Sequence, residues 1–129
     1  MGNYSFNKTT SLTFEQAIRK TKIELKHEGF GVLTEVDVKA TIKKKLDKDF
    51  RNYIILGACN PDFAYEALQM EEELGLLLPC NVIVFEKDSG QVVVSAVNPK
   101  KALQIANNKE LKEVAGQVSE HLKRVIEKV

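Results

Sequence analysis

The chain has two cysteines, and each is followed by asparagine, as Cys59-Asn60 and Cys80-Asn81. Cys59 ends the run Ile54-Ile55-Leu56-Gly57-Ala58 and stands before Asn60-Pro61. This is the pattern of a buried strand running straight into a helix. Asn is a favoured N-cap, and Pro at the first helical position has no amide to leave unpaired. A sulfur at a helix start lies near the partial positive charge and free amides of that helix, which favours thiolate over thiol. The packing alternative is a cysteine acting as a small hydrophobe, and the apolar residues before Cys59 support it. Cys80, between Pro79 and Asn81 ahead of Val82-Ile83-Val84-Phe85, also reads as a packing residue when taken alone. Together the two define a candidate thiol-based site for redox, sulfur or small electrophilic ligand chemistry. In it the amides of Asn60 and Asn81 would orient a ligand beside the sulfurs. The candidate ligand-binding set is therefore Cys59, Asn60, Cys80 and Asn81.

Whether the sulfurs meet is a question of topology. If the strand opening at Cys80 runs antiparallel beside the strand ending at Cys59, the start of one meets the end of the other. If the intervening helix is a parallel crossover, the cysteines lie a strand length apart, about 17–20 Å. The sequence is compatible with both.

Other chemistry is thinly represented. The cysteine spacing is not that of a zinc knuckle, and only His27 and His121 supply imidazoles, so neither a metal nor a cofactor is expected. His27 reads as a helix-end residue and His121 as the edge of an apolar stripe. Lys39, Lys43, Lys44 and Lys45, with Lys48 and Arg51 beyond them, are the one concentration of charge. No aromatic residues are interleaved with the lysines, so a solvated helix face is expected rather than a nucleic-acid surface. There is no glycine-rich phosphate loop, no nucleophile elbow and no histidine–carboxylate pair at a recognisable spacing. Glu71, Glu72 and Glu73 are consecutive, so they point in different directions on a helix.

The elements that must position the cysteines follow from periodicity. Tyr4 to Asn7 alternates as a strand, and Thr13-Phe14-Glu15-Gln16 matches a capping box. The spacing of Phe14, Ala17, Ile18, Thr21 and Leu25 then predicts a helix over residues 13–28, stopped at Gly29. A strand follows over residues 30–36, and a short helix capped by Asp37 places Val38, Ile42 and Leu46 on one face. Residues 53–58 are continuously apolar, which predicts a strand buried on both faces or placed at the centre of the sheet. The helix from Pro61 is expected to run to Leu74, with Gly75 as its stop, and Leu76 to Leu78 to lead into the next strand. Residues 82–85 and 92–97 form a hairpin around Gly90. Asn98-Pro99 opens a short helix, and a last helix from about Lys109 carries the broad stripe Leu111, Val114, Ala115, Val118, Leu122, Val125, Ile126 and Val129. The order β-α-β-α-β-α-β-β-α-α predicts a single α+β domain over residues 1–129. It should form two layers, with a five-stranded mixed or mainly antiparallel sheet packed against helices.

A length of 129 residues suits one core, and 43% apolar with 29% charged residues is ordinary for a globular chain. A net charge of +1 gives no global field toward nucleic acid or membrane. Two cysteines do not make a disulfide framework, no signal segment opens the chain, and no apolar run is long enough to span a bilayer. The cytoplasm is the expected location.

Three blocks of the sequence resemble one family. They are Gly29-Phe30-Gly31-Val32-Leu33-Thr34-Glu35-Val36-Asp37-Val38-Lys39, Ile55-Leu56-Gly57-Ala58-Cys59-Asn60-Pro61, and Gly75-Leu76-Leu77-Leu78-Pro79-Cys80-Asn81-Val82. Together they are similar to the family of domain of unknown function 302, small bacterial and archaeal proteins. The resemblance extends over about residues 4 to 126 and implies a compact, self-associating α+β domain, without supplying a reaction. With no acid–base constellation and an apolar final helix, the expectation is a non-enzymatic binding or interaction protein that forms a homodimer, with thiol chemistry at Cys59 and Cys80 as the alternative.

Overall fold

The computed structural model describes residues 3–129. Strands β1 (Ser5–Thr10), β2 (Gly31–Asp37), β3 (Tyr53–Cys59), β4 (Cys80–Glu86) and β5 (Val92–Val97) form one five-stranded sheet in the order β1-β5-β4-β3-β2. Every pairing in it is antiparallel. The fold is α+β, as expected, and the mixed-sheet option falls away.

Local chemistry explains where the helices begin. In α1 (Phe14–His27) the Thr13 hydroxyl accepts from the Gln16 amide at 3.2 Å, while the Thr13 amide donates to Gln16 Oε1 at 3.0 Å. This is the reciprocal pair of the capping box. Gly29 then takes φ +83, which lets the chain turn back without a Cβ clash. Asp37 caps α2 (Val38–Leu46) through the Ala40 amide, and Asn60 caps α3 (Pro61–Met70) through the Phe63 amide. Asn98 caps the single-turn α4 (Pro99–Ala102), and Asn108 caps the long α5 (Lys109–Lys128).

The core lies between one sheet face and α1, α3 and α5. Alternation along the strands sends Leu56, Ala58, Val82, Val84, Val94 and Ala96 to this face, where all are buried. From the helices come Ala17, Leu25, Ala67, Leu111, Leu122 and Val125. The α5 stripe from Leu111 to Ile126 is therefore consumed by the domain's own core and leaves no surplus apolar face on that helix.

Two expectations are corrected. The central strand is β4, not β3, and β5 is the strand buried along nearly its whole length. The continuous apolar run of β3 reflects a half-covered second face rather than a central place. That second face, pointing away from α1, α3 and α5, carries Tyr53 stacked on Phe85 with ring centroids 5.3 Å apart. Leu46, on the apolar face of α2, is largely exposed.

The helix after Asn60 also stops earlier than its stripe suggests. It ends at Met70, and a 3₁₀ segment, Glu72–Leu77, turns the chain back. The break is held from afar: the Asn108 side-chain amide donates to Met70 O at 3.0 Å and to Glu71 Oε1 at 3.3 Å. This out-and-back path delivers Pro79 to the end of the sheet where β3 finished. At that end Gly57 is fixed by close approach. A Cβ there would strike the Thr34 hydroxyl and lie 2.8 Å from Pro79 Cγ.

Candidate functional site

Because β3 and β4 are antiparallel neighbours, the last residue of one and the first of the other come to the same end of the sheet. Ala58 is directly opposite Cys80 in the register, so Cys59 stands one step beyond it. Both cysteines are free and half-buried, and both line a cavity of about 310 Å³. The antiparallel arrangement left open by the sequence is thus the one adopted.

The cavity is bounded below by Ala58, Cys59 and Cys80 at the sheet end. Its sides are Phe63, Ala64, Ala67 and Leu68 of α3, Leu74 and Leu78 of the returning segment, and Val114, Ala115 and Val118 of α5. Leu33 joins from a register shift in β2, and Pro99 and Leu103 close the far side. No charged side chain lines it, and Asn60 and the two thiols are its polar side chains. Leu33, Leu68 and, on the returning segment, Leu76 are exposed near it.

Cys59 does not behave as the helix-start argument expects. Burial raises the Cys59 thiol above its ordinary value. Burial, followed by the repulsion an ionised Cys59 would exert, pushes Cys80 up to about 11. At the start of α3 the Phe63 amide is taken by Asn60 Oδ1 at 3.4 Å. Both sulfurs are therefore held as thiols at neutral pH, poor nucleophiles but weak hydrogen-bond donors. Neither has a hydrogen-bond partner among the described residues.

Asn60 Oδ1 is used by the cap, which leaves Nδ2 as the uncommitted end of the amide. It has no acceptor among the described residues and lies against Gly29, where a Cβ would stand 3.0 Å from it. Asn81 does not join the set. It sits opposite Gly57 on the other face of the sheet, is exposed, and does not line the cavity.

One arrangement was invisible in the sequence. Glu28, just past α1, receives Arg124 Nε at 3.0 Å and lies 2.8 Å from His121 Nδ1, both on α5. The His121 ring also packs against Phe63 of the cavity wall, with centroids 5.5 Å apart. Burial works to raise the Glu28 pKa, but the hydrogen bonds from His121 and Arg124 outweigh it and hold the carboxyl below its usual range. A separation of 93 residues hid this carboxylate–histidine pair from any reading of spacing. Its role in the fold is to tie the end of α1 to α5. Among the described residues no group of three or more His, Cys, Asp or Glu is placed to hold a metal ion, and no helix is long and apolar enough to cross a membrane.

Fold and site together define a small two-layer α+β domain with a charge-free cavity at one end of an antiparallel sheet. The family model "Domain of unknown function DUF302" matches residues 6–129, and the chain belongs to that family. A crystal structure of an uncharacterized conserved DUF302 protein from Bacillus stearothermophilus superposes with a TM-score of 0.91 at 26% identity, covering 98% of each chain. No curated protein matches the chain.

Proposed function

We propose that the domain is a non-enzymatic binding protein that takes a small, uncharged, largely apolar molecule into the cavity at the β3–β4 end. The observation that supports this best is the lining itself. About 310 Å³ of space bounded by apolar side chains, with polarity gathered at one end, suits a small ligand and would strongly penalise a charged one. Binding to the folded state alone raises stability by roughly 2.7 kcal/mol at a hundredfold excess over Kd. Thermal unfolding with neutral aromatic probes tests the reading, compared with an Ala67→Phe variant designed to fill the space. The wild type should be stabilised and the filled variant, still folded, should not respond. An unresponsive wild type removes the proposal.

Thiol chemistry is the second reading, supported by the convergence of Cys59 and Cys80 on one cavity and opposed by the raised pKa of both. Alkylation by iodoacetamide that is already fast at neutral pH would restore it.

Self-association keeps a place in the proposal on different ground from the α5 stripe. The sheet face bearing Tyr53 and Phe85 is a half-buried apolar surface for a second copy to cover. Sedimentation is expected to give a dimer that Phe85→Lys converts to monomer. A wild-type monomer at high concentration would exclude it.

A further inference from the structure

We infer that the ligand is a neutral hydrogen-bond acceptor, a carbonyl compound of about a dozen non-hydrogen atoms, whose oxygen is received by Asn60 Nδ2 at the thiol end of the cavity. This rests on the cavity being a binding site and goes further by fixing the chemistry of what binds.

Size comes from volume. A protein cavity of about 150 Å³ accommodates benzene, and the space here is about twice that. Charge comes from the lining: an anion would leave water without a lysine, arginine or histidine to meet it, and a cation without a carboxylate. Polarity comes from the inventory of free donors and acceptors. The Asn60 oxygen is committed to the Phe63 amide, whereas its NH₂ group is uncommitted. The amide orientation follows from the cap, because only the oxygen can accept that backbone proton. Cys59 and Cys80, protonated at neutral pH, add S–H groups of the same donor sense, although weak ones. Nδ2 lies against Gly29, where the missing side chain gives it room, since a Cβ there would stand 3.0 Å from it. An acceptor oxygen meets a matching group at this end of the cavity; a ligand offering only donors does not.

A matched series of probes tests this by calorimetry: butylbenzene, butyrophenone and 4-phenylbutanoate share a skeleton and differ in the polar group. The ketone should bind about fivefold to tenfold more tightly than the hydrocarbon, the worth of one neutral hydrogen bond, and the carboxylate should not bind. Asn60→Ser keeps a capping oxygen and removes the NH₂ group. It should erase the ketone's advantage while hydrocarbon binding persists. Equal affinity for ketone and hydrocarbon would overturn the carbonyl assignment and leave the cavity reading standing. Preference for the carboxylate, or a ketone advantage that survives in Asn60→Ser, would also overturn it. Failure of all probes would remove the cavity reading itself. If Asn60→Ser does not fold, the wild-type series still decides, because its ordering of the probes is set without the variant.

Discussion

Cys80 shows how burial sets the chemistry of a single residue. In the sequence it reads as a packing residue when taken alone and draws interest only from its twinning with Cys59. In the fold it opens β4 against Ala58, under α3 and the returning segment, and burial pushes its pKa from 9.0 to about 11. The consequence for stability has a definite sign. The native thiol holds its proton more tightly than the unfolded one, so stability is complete below pH 9 and is lost as pH rises toward 11. Urea unfolding across this interval should show stability falling with pH, and Cys80→Ala should flatten that slope while lowering the plateau through the volume removed. A wild-type stability unchanged over the interval would contradict the burial argument.

At the scale of elements, Asn108 does the work of two caps. Its oxygen accepts from the Glu110 and Leu111 amides at the start of α5, and its NH₂ group donates to Met70 O and Glu71 Oε1 at the end of α3. Asn108→Ala should therefore cost more than the roughly 1 kcal/mol of a simple N-cap, on the order of 2 kcal/mol, because the α3 carbonyl also loses its donor. Asn108→Ser, which retains the cap but cannot span both helices, should recover only part. Denaturant midpoints of the two variants measure the division, and full recovery of stability in Asn108→Ser would refute the bridging role. The same residue explains the limits of what the sequence discloses. Capping boxes, Asn-Pro steps and apolar periodicity are local, so α1, the starts of α2 and α3, and the β4–β5 hairpin were legible. The end of α3 is set by a residue 38 positions away, and the stripe through Leu74 therefore suggested a longer helix. Strand order is likewise non-local. Residues 53–58 looked central because they are apolar, but apolarity reports coverage of both faces, not position in the sheet. Cys59, Asn60 and Cys80 could be named as candidates from their types. Their cavity could not, because it exists only where α3 turns back. Asn81 was misplaced for a simpler reason: the residue after Cys80 on a strand faces the other way.

For the whole molecule, the nearly balanced charge means that no large net repulsion governs its response to acid until many carboxylates are protonated. The response should instead begin at a few buried carboxylates that hold the helical layer together. Glu28 is held below its usual value near 4.5 by His121 and Arg124 against the effect of burial. Glu24, buried on α1, is held below it chiefly by the hydrogen bond from Lys20 at 2.6 Å, with His27 adding to the effect. Both carboxylates bind protons more weakly in the folded state than in the unfolded chain. Their contribution is present above pH 4.5 and is lost as pH falls through the lower native values. Protonating the glutamates removes the negative charge that Lys20, His27, His121 and Arg124 contact. Unfolding midpoints should hold steady from neutrality to about pH 5 and then fall. Glu28→Gln, less stable at neutral pH, should show a shallower acid slope, because one of the two titrating groups is gone. The difference isolates the tie between α1 and α5 from general acid expansion, which would steepen both proteins alike. Parallel acid slopes in wild type and variant would show that Glu28 does not couple protonation to the packing of the two helices.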